Sequence, residues 1–348
     1  MPPKSPPRVA IVGLGTIGRI HAERILRLDA ALAAGADVST DARELFAGEY
    51  DVPTYADHET MLADADIDAV FVCVPNRVHE RVAIDALEHE CAVLLEKPLA
   101  HSVESAERIA AAAADAEASC VVGFTMRFSN ATRRVAALRD EGRLGSVSHV
   151  DATYLRRNAL PGEGRGWFTD PDLAGGGVAM DLGVHALDLA LYLLEYPTVR
   201  EVTGVTRSEF GDYDVEDSAH ALVRCGDDRT ISIRVSWRAT RSSSKRCIVR
   251  GSDAGVEFNV TEPTLDVFDT RPVGTDESDG RPTGPDEMLS VDGGDMHLAE
   301  DRAFLATLAG ERTALAGTVE DALTVQRVLR AIYDSSDRGE AVRLSEYQ

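Results

Sequence analysis

One lysine lies in an unusual position, in the stretch Leu95-Glu96-Lys97-Pro98-Leu99 at the end of an apolar run. The 36 basic residues of this 348-residue chain include only three lysines, at positions 4, 97 and 245. A compact ammonium group can donate to a reacting oxygen and stabilise negative charge on it, which a planar guanidinium does less readily. Because Pro98 disfavours a helical backbone before it, Lys97 is expected to be extended. We therefore predict a functional role for Lys97; the alternative is a solvated loop lysine.

A second group of polar side chains lies in the apolar segment from Met180 to Leu194. Asp181, His185 and Asp188 have the spacing i, i+4 and i+7, which places them on one face of a helix. Three interpretations follow from the spacing alone. The imidazole could be a general base oriented by an acid, the three groups could bind a metal ion, or they could form a polar seam with a purely structural role.

A glycine-rich turn near the start of the chain predicts a dinucleotide site. The β-branched run from Arg8 enters Gly13-Leu14-Gly15-Thr16-Ile17-Gly18, and a helical pattern follows. In this context the glycines allow a tight turn, close approach of a pyrophosphate and packing of helix on strand. Asp37, 24 residues after Gly13, is placed to contact the adenosine ribose, which favours NAD. Ser39, Thr40 and Arg43 could instead hold the 2′-phosphate of NADP, and Asp37 could simply cap the next helix.

Alternating strands and helices continue to Phe124 and predict a doubly wound parallel sheet. Ligands bind such sheets at the carboxyl ends of the strands. Gly13, Asp37, Pro75-Asn76 and Lys97 are all predicted at those ends. We expect an NAD(P)-binding domain over 1–123.

The remainder, 124–348, is expected to form an α+β domain for substrate binding and oligomerisation. Consecutive strands with alternating polarity between 199 and 260 predict a large open, mostly antiparallel sheet. A glycine-rich loop over 156–177 could close over a ligand, and 270–295 is expected to be loop-like. A sheet of this size leaves a face to bury, so a homodimer or homotetramer is expected.

The net charge of −23 is spread along the whole chain. Such a surface repels nucleic acid and anionic lipid. It could be an acidic surface that binds a partner, but the even spread of the acids and the near absence of lysine favour adaptation to high salt. The apolar runs are too short to span a bilayer. Five scattered cysteines without C-x-x-C spacing indicate reduced thiols in a cytoplasmic protein.

Several motifs in order resemble the Gfo/Idh/MocA oxidoreductases, named for glucose-fructose oxidoreductase and inositol dehydrogenase. The motifs that carry the resemblance are G-L-G-T-I-G-R-I-H-A, V-P-N-R-V-H, E-K-P-L-A at 96–100, V-G-F-T-M-R-F at 122–128, D-L-G-V-H at 181–185 and V-E-D-S-A at 215–219. The resemblance covers nearly the full chain. It implies a Rossmann domain followed by an α/β domain, NAD or NADP as cofactor without a metal ion, and reversible oxidation of a sugar or polyol hydroxyl.

Carried over by position, the resemblance implies that Lys97, Asp181 and His185 are catalytic, with His185 as the base. The residues expected to bind the cofactor are Gly13, Gly15, Thr16, Ile17, Gly18, Asp37, Pro75, Asn76, His79, Glu96 and Lys97. Those that could bind the substrate are Arg127, Arg156, Asn158, Trp167 and His297, each of which could equally be a surface or packing residue. Two departures from the family pattern are an alanine-rich second strand and Met126 where many relatives have an aromatic residue.

Two other functions are compatible with the same resemblance. One is a glycosidase that uses NAD for a transient oxidation, and the other is a sugar-sensing regulator without catalysis. The intact catalytic motifs and the acidic surface argue against a DNA-binding regulator.

Overall fold

The structure is a computed structural model that describes residues 6–157, 166–209, 211–240, 242–270, 284–308 and 317–347. The chain forms two compact units. The first comprises 1–124, 170–175 and 297–326, and the second comprises 125–169, 176–296 and 327–348. The first segment of the first unit thus ends near the predicted boundary at 123, but two later segments also belong to it, so a single division of the chain does not describe the units.

The first unit is built on a seven-stranded sheet. Its strands are β1 Arg8–Val12, β2 Ala31–Ala36, β3 Thr54–Tyr55, β4 Ala69–Val72, β5 Ala92–Leu95, β6 Cys120–Val122 and β15 Gly317–Thr318. The spatial order is β15-β6-β5-β4-β1-β2-β3, and every pair is parallel except β15 with β6. This order and direction confirm the predicted doubly wound fold.

Helices cover this sheet and explain why its central strands are apolar on both faces. They are α1 Thr16–Ile25, α2 Thr40–Tyr50, α3 His58–Asp64, α4 His79–Glu88, α5 Val103–Asp115, α7 Pro171–Ala174 and α9 Met296–Leu308. All four residues of β4 and of β5 are buried, as expected for parallel strands covered on both sides. Phe304 of α9 packs edge-on against Phe71 of β4, with 5.2 Å between ring centroids.

The second unit contains a nine-stranded sheet. Its strands are β7 Val147–Leu155, β8 Val199–Arg207, β9 Ser218–Cys225, β10 Thr230–Ser236, β11 Ser244–Gly251, β12 Ala254–Asn259, β13 Thr264–Asp269, β14 Glu287–Ser290 and β16 Val342–Arg343. The order is β14-β13-β12-β11-β7-β10-β9-β8-β16. Only β7 and β10 pair in parallel, so the predicted open, mostly antiparallel sheet is confirmed.

Strands β13 and β14 were not predicted. In β14 (Glu-Met-Leu-Ser) three of four residues are exposed, so this edge strand carries almost no alternation of polarity that a sequence pattern could detect. Part of the segment 270–295, predicted as a loop, therefore forms a strand; residues 271–283 lie outside the described part of the chain.

The apolar segment around Met180 is not a uniform α-helix. Residues Ala179–Gly183 form a π-helical turn, and α8 follows over Val184–Leu193. The other helices with residues in this unit are α6 Asn130–Asp140 and α10 Val319–Arg338. In the described chain, one segment, Pro171–Leu193, is long and apolar enough to be considered as a membrane span, with mean hydropathy 1.2. Since 83% of its most apolar window is buried, it is better described as a core segment.

Candidate active site

The glycine turn after β1 has the geometry of a phosphate cradle. Gly13 has φ +94°, and an added Cβ would lie 2.4 Å from the Cys73 carbonyl oxygen. A Cβ on Gly18 would lie 2.0 Å from the carbonyl oxygen of Gly13, whereas nothing lies within 4 Å of one on Gly15. Gly15 is also the N-cap of α1, which begins at Thr16 and has no side-chain cap. The open face at Gly15 and the uncapped helix fit a bound pyrophosphate.

Asp37 follows β2 at the same edge and anchors this turn. Its carboxylate accepts hydrogen bonds from the backbone N–H of Leu14 and of Ser39, both at 2.8 Å. The N-cap of α2 is Ser39, whose hydroxyl accepts from the N–H of Ala42. The alternative that Asp37 caps the helix is therefore wrong, and its carboxylate instead fixes the turn that would hold the cofactor.

Pro75, Asn76 and His79 lie at the next strand end. Asn76 is buried; its amide nitrogen donates to the Ala174 carbonyl at 2.8 Å, but its Oδ1 has no partner among the described residues. A buried acceptor without a protein partner, such as this Oδ1, is suited to accept a hydrogen bond from a bound ligand.

His79 is buried, and its ring nitrogens lie 3.0 Å from the carbonyl oxygens of Pro98 and Val74. Burial lowers the pKa of His79. A neutral ring donates to one of these two carbonyls, so His79 lies between the ends of β4 and β5, and its contact with the cofactor stays a prediction.

Glu96 and Lys97 follow β5. Glu96 accepts from the backbone N–H of Lys97 at 3.2 Å and contacts His21 Nε2 at 3.0 Å. Lys97 is half-buried and joined to Pro98 by a cis peptide bond. Lys97 thus lies at the carboxyl edge of the first sheet, as do the glycine turn, Asp37 and Asn76.

In the second unit, the π turn and α8 carry the other candidate catalytic groups. Asp181 is buried in the π turn and accepts from Trp237 Nε1 at 2.9 Å. Arg156 Nη1 lies 3.5 Å from the same carboxylate oxygen. His185 is the only residue between Gly177 and Leu191 that is not buried. A π turn widens the helix locally and is common at functional sites.

Tyr154 and Lys245 complete this cluster and were not identified from the sequence. The Tyr154 ring lies 6.2 Å from the His185 ring, centroid to centroid. Lys245 Nζ is 4.9 Å from the Tyr154 centroid, and the Arg156 guanidinium carbon is 5.5 Å from it. Burial alone would raise the pKa of Tyr154, but these two cations lower it. The scarcity of lysine was a usable signal for Lys245, as it was for Lys97.

Glu216, in the V-E-D-S-A motif, holds the start of the π turn. Its buried carboxylate accepts from the N–H groups of Gly177 and Ala179 at 2.9 and 2.8 Å and from the hydroxyl of Tyr333 at 2.8 Å. Burial raises the pKa of Glu216. This anchor gives the motif a structural reason: it fixes the backbone immediately before Asp181.

Arg127 and Asp188 form a buried pair, which corrects two predictions. The Arg127 side chain is 2% exposed and that of Asp188 is 1% exposed, and Nη2 lies 2.6 Å from Oδ1. The guanidinium also stacks near Tyr192 and Tyr196. Arg127 is therefore committed to the core and not to the substrate, and Asp188 does not share a functional face with Asp181 and His185.

We expect the loss of one partner of the Arg127–Asp188 pair to destabilise the fold strongly, and the replacement of both partners by apolar residues to be tolerated. Asp188→Leu leaves a buried guanidinium without its counterion and should lower the free energy of unfolding by about 3–5 kcal/mol, whereas Arg127→Met with Asp188→Leu should recover most of it. Urea unfolding measures both. The exposed pair of Arg134 and Glu141 provides the control, because Arg134→Met should change stability by less than about 1 kcal/mol. Equal stability of single and double variants would contradict the pairing.

The remaining predicted substrate residues are less informative. Trp167 stacks on Phe168 with 3.8 Å between centroids and is half-buried. His297 is half-buried near the start of α9, in the first unit. Asn158 lies outside the described residues.

Within the described part of the chain, one group of side chains has the spacing of metal ligands: His58, Glu59 and Asp85. Arg81 already contacts both carboxylates of this group.

Comparisons with known proteins agree with this architecture. Residues 7–124 match the model of the GFO_IDH_MocA oxidoreductase family, NAD-binding Rossmann fold, and 132–257 match the GFO/IDH/MocA C-terminal domain. The chain is 29% identical to D-glucoside 3-dehydrogenase of Escherichia coli (strain K12) over 98% of each chain. It is 31% identical to inositol 2-dehydrogenase of Rhizobium meliloti (strain 1021), covering 74% of this chain and 76% of the relative. Levoglucosan dehydrogenase in complex with NADH and levoglucosan has a TM-score of 0.85 at 21% identity, over 97% of this chain and 99% of that one, which shows a shared fold.

Proposed function

Because the chain belongs to the GFO/IDH/MocA oxidoreductase family, we propose that it oxidises a secondary hydroxyl of a neutral or acidic monosaccharide or of an inositol. Its relatives are dehydrogenases of sugars and inositol, so the chain is an NAD(P)-dependent oxidoreductase that acts on a CH–OH group. The observation that carries the proposal is His185, the one half-buried side chain among the buried residues between Gly177 and Leu191, with Asp181 on the preceding turn.

The proposed chemistry divides between three side chains. The bound nicotinamide supplies the hydride acceptor. His185 takes the hydroxyl proton, since imidazole exchanges protons near neutral pH. Lys97 donates to the same oxygen and stabilises the developing negative charge. Asp181, held by Trp237 Nε1, orients His185 or a neighbouring substrate hydroxyl.

We propose that NAD is preferred over NADP. The Asp37 carboxylate is fixed by two backbone N–H groups and would repel a 2′-phosphate in a ribose site beside it. Arg43, which was the cation predicted to hold a 2′-phosphate, already donates to the carbonyls of Asp37 and Val38 and to the hydroxyl of Thr40. The ratio of kcat/KM for NAD and NADP tests the preference.

Production of reduced cofactor tests the function directly. The purified chain is incubated with NAD or NADP and a panel of pentoses, hexoses, uronic acids and inositols at molar KCl, and the absorbance of the reduced nicotinamide is followed. Sustained net reduction supports a dehydrogenase. Glycoside cleavage without net reduction would identify a hydrolase, and binding without turnover would identify a sensor; either result contradicts the proposal.

Lys245 is expected to contribute to substrate binding. Lys245→Met removes a cation beside Tyr154 and should raise the substrate KM about tenfold with a smaller effect on kcat, the cost of a lost charge-assisted hydrogen bond. Arg246→Met is the matched control: Arg246 is the next residue of β11, so it points to the other face, where it pairs with Glu257. Unchanged KM in Lys245→Met, or an equal change in the control, would contradict this role.

We further propose that the chain assembles as a homodimer or homotetramer through its second sheet. Four exposed apolar residues lie on one face of that sheet by its strand register: Val205, Leu222, Phe268 and Met288. Mass measurement in solution tests this.

The setting proposed for the enzyme is the cytoplasm of an organism adapted to high salt. All five cysteines are free thiols, as is usual in a reducing compartment, and the net charge of −23 favours activity that rises with salt.

A further inference from the structure

His21 is clamped between two carboxylates inside the first unit. Its Nδ1 lies 3.0 Å from Asp301 Oδ1, and its Nε2 lies 3.0 Å from Glu96 Oε1. The His21 side chain is 1% exposed, that of Asp301 is 0% exposed, and that of Glu96 is 21% exposed. The three residues come from α1, α9 and the end of β5, which are far apart in sequence. Water therefore reaches this arrangement only at its Glu96 end.

The geometry sets the protonation state of the imidazole. A neutral histidine donates through one nitrogen only, so one of the two carboxylates would face a lone pair. A doubly protonated ring donates to both. Burial alone would lower the pKa of His21, but the hydrogen bonds and charges of Asp301 and Glu96 raise it to about 10. His21 is thus a buried cation at neutral pH.

The surroundings of the clamp contain few other charges. The His21 and Phe71 rings pack in a T-shaped arrangement, with 5.1 Å between centroids. Arg24 Nη1 is 4.0 Å from Asp301 Oδ2, the carboxylate oxygen that has no hydrogen-bond partner among the described residues. Burial raises the pKa of the nearby Cys73 thiol well above its usual value, so this group stays neutral.

The clamp ends at the candidate catalytic lysine. The second oxygen of Glu96 accepts from the backbone N–H of Lys97 at 3.2 Å. Burial would raise the pKa of Glu96, but His21, followed by Lys97 and His79, lowers it. An ionised Glu96 held at one oxygen by His21 can therefore hold the Lys97 backbone with the other.

We propose that Asp301 is a positioning residue for the reaction: it keeps His21 doubly protonated, so that His21 fixes Glu96 and Glu96 fixes the backbone of Lys97. The inference rests on the proposed function, because it assigns Lys97 to the reacting oxygen. The sequence motif G-L-G-T-I-G-R-I-H-A contains His21 but gives no sign of its partner 280 residues later.

Imidazole NMR of the full chain, labelled at its histidines, tests the protonation state without any turnover. The signal that disappears in His21→Gln belongs to His21. We expect it to show two N–H groups and no titration between about pH 6 and pH 9, because two carboxylates hold both protons. In Asp301→Asn it should titrate within that range. Glu300→Gln, a buried acid-to-amide change at the preceding position of α9, is the control and should leave the signal unchanged.

Kinetics test the link to Lys97. In Asp301→Asn the charge-assisted bond from His21 to Glu96 weakens once His21 is neutral, so kcat should fall about tenfold at about pH 8.5, since small displacements of a catalytic group are costly. As the pH is lowered, His21 regains its proton and the deficit relative to wild type should shrink. Taking the ratio of the two enzymes at each pH cancels any pH dependence that the two enzymes share.

Each outcome decides the proposal. A neutral, titrating His21 in the wild type would overturn it, and so would a kcat ratio for Asp301→Asn that does not change with pH. If Asp301→Asn does not fold, His21→Gln replaces it: a kcat deficit that is constant with pH supports the link, and wild-type kcat refutes it. Failure of the wild type to reduce NAD or NADP with any substrate would overturn the proposed function, while the NMR result would still stand on its own.

Discussion

Lys97→Met should lower kcat by about a hundredfold to a thousandfold, the usual cost of removing one donor to a developing oxyanion. Methionine keeps the length and apolar stem of lysine but removes the ammonium. Lys97→Arg should recover little of the loss, because a planar fork cannot take the place of a compact ammonium beside a reacting oxygen. Steady-state rates with the best substrate of the panel give the measurement.

The Lys97 variants are informative only if the cofactor still binds. Fluorescence titration with NADH should give a dissociation constant within about threefold of the wild-type value, since the glycine turn and Asp37 carry most of the proposed cofactor contacts. Near-normal turnover in Lys97→Met would remove the lysine from the mechanism. A large loss of NADH binding would assign it to cofactor binding instead of catalysis.

His185→Gln should have an effect of similar or larger size. A glutamine can donate and accept hydrogen bonds but cannot take the hydroxyl proton, so we expect a loss of about 10²- to 10⁴-fold in kcat/KM. The acidic limb of the wild-type pH profile of kcat/KM should disappear in this variant, because that limb reports protonation of the free enzyme's base. The pH profile of the residual activity provides the check.

His220→Gln is the matched control for this experiment. His220 lies exposed on β9, so the same substitution there should leave the rate and the pH profile unchanged. A His185→Gln variant that keeps the acidic limb would show that another group is the base. Tyr154, with its lowered pKa, would then be the next candidate.

Sequence patterns predicted most of the fold because many of its strands are either continuously buried or alternate in burial. β4 and β5 belong to the first kind, and β10 and β12 belong to the second. β14 has neither pattern, since it is a short exposed edge. The division into units was also harder to predict from the sequence, because 297–326 joins the first unit through tertiary contacts such as that of Phe304 with Phe71.

The candidate site was predictable where local motifs carry it and not where distant residues complete it. The glycine turn and Asp37 follow from spacing. Arg127 was misassigned because nothing local reveals that Asp188, 61 positions later, neutralises it. Asp181, His185 and Asp188 were predicted on one helix face, but Asp188 does not belong with the other two. The π turn changes the helical spacing, and spacing alone does not reveal a buried ion pair.

The late position of Asp301 has a consequence for biosynthesis. A ribosome releases the glycine turn, His21 and Glu96 long before α9 is made, so the nascent first unit exposes a histidine–glutamate pair that lacks its second carboxylate. A fragment ending at 124 would also lack the antiparallel edge strand β15. Chimeras that graft this cofactor unit onto another protein therefore need α9 as well as the first 124 residues, and a shorter graft would leave a vacancy in the interior beside His21.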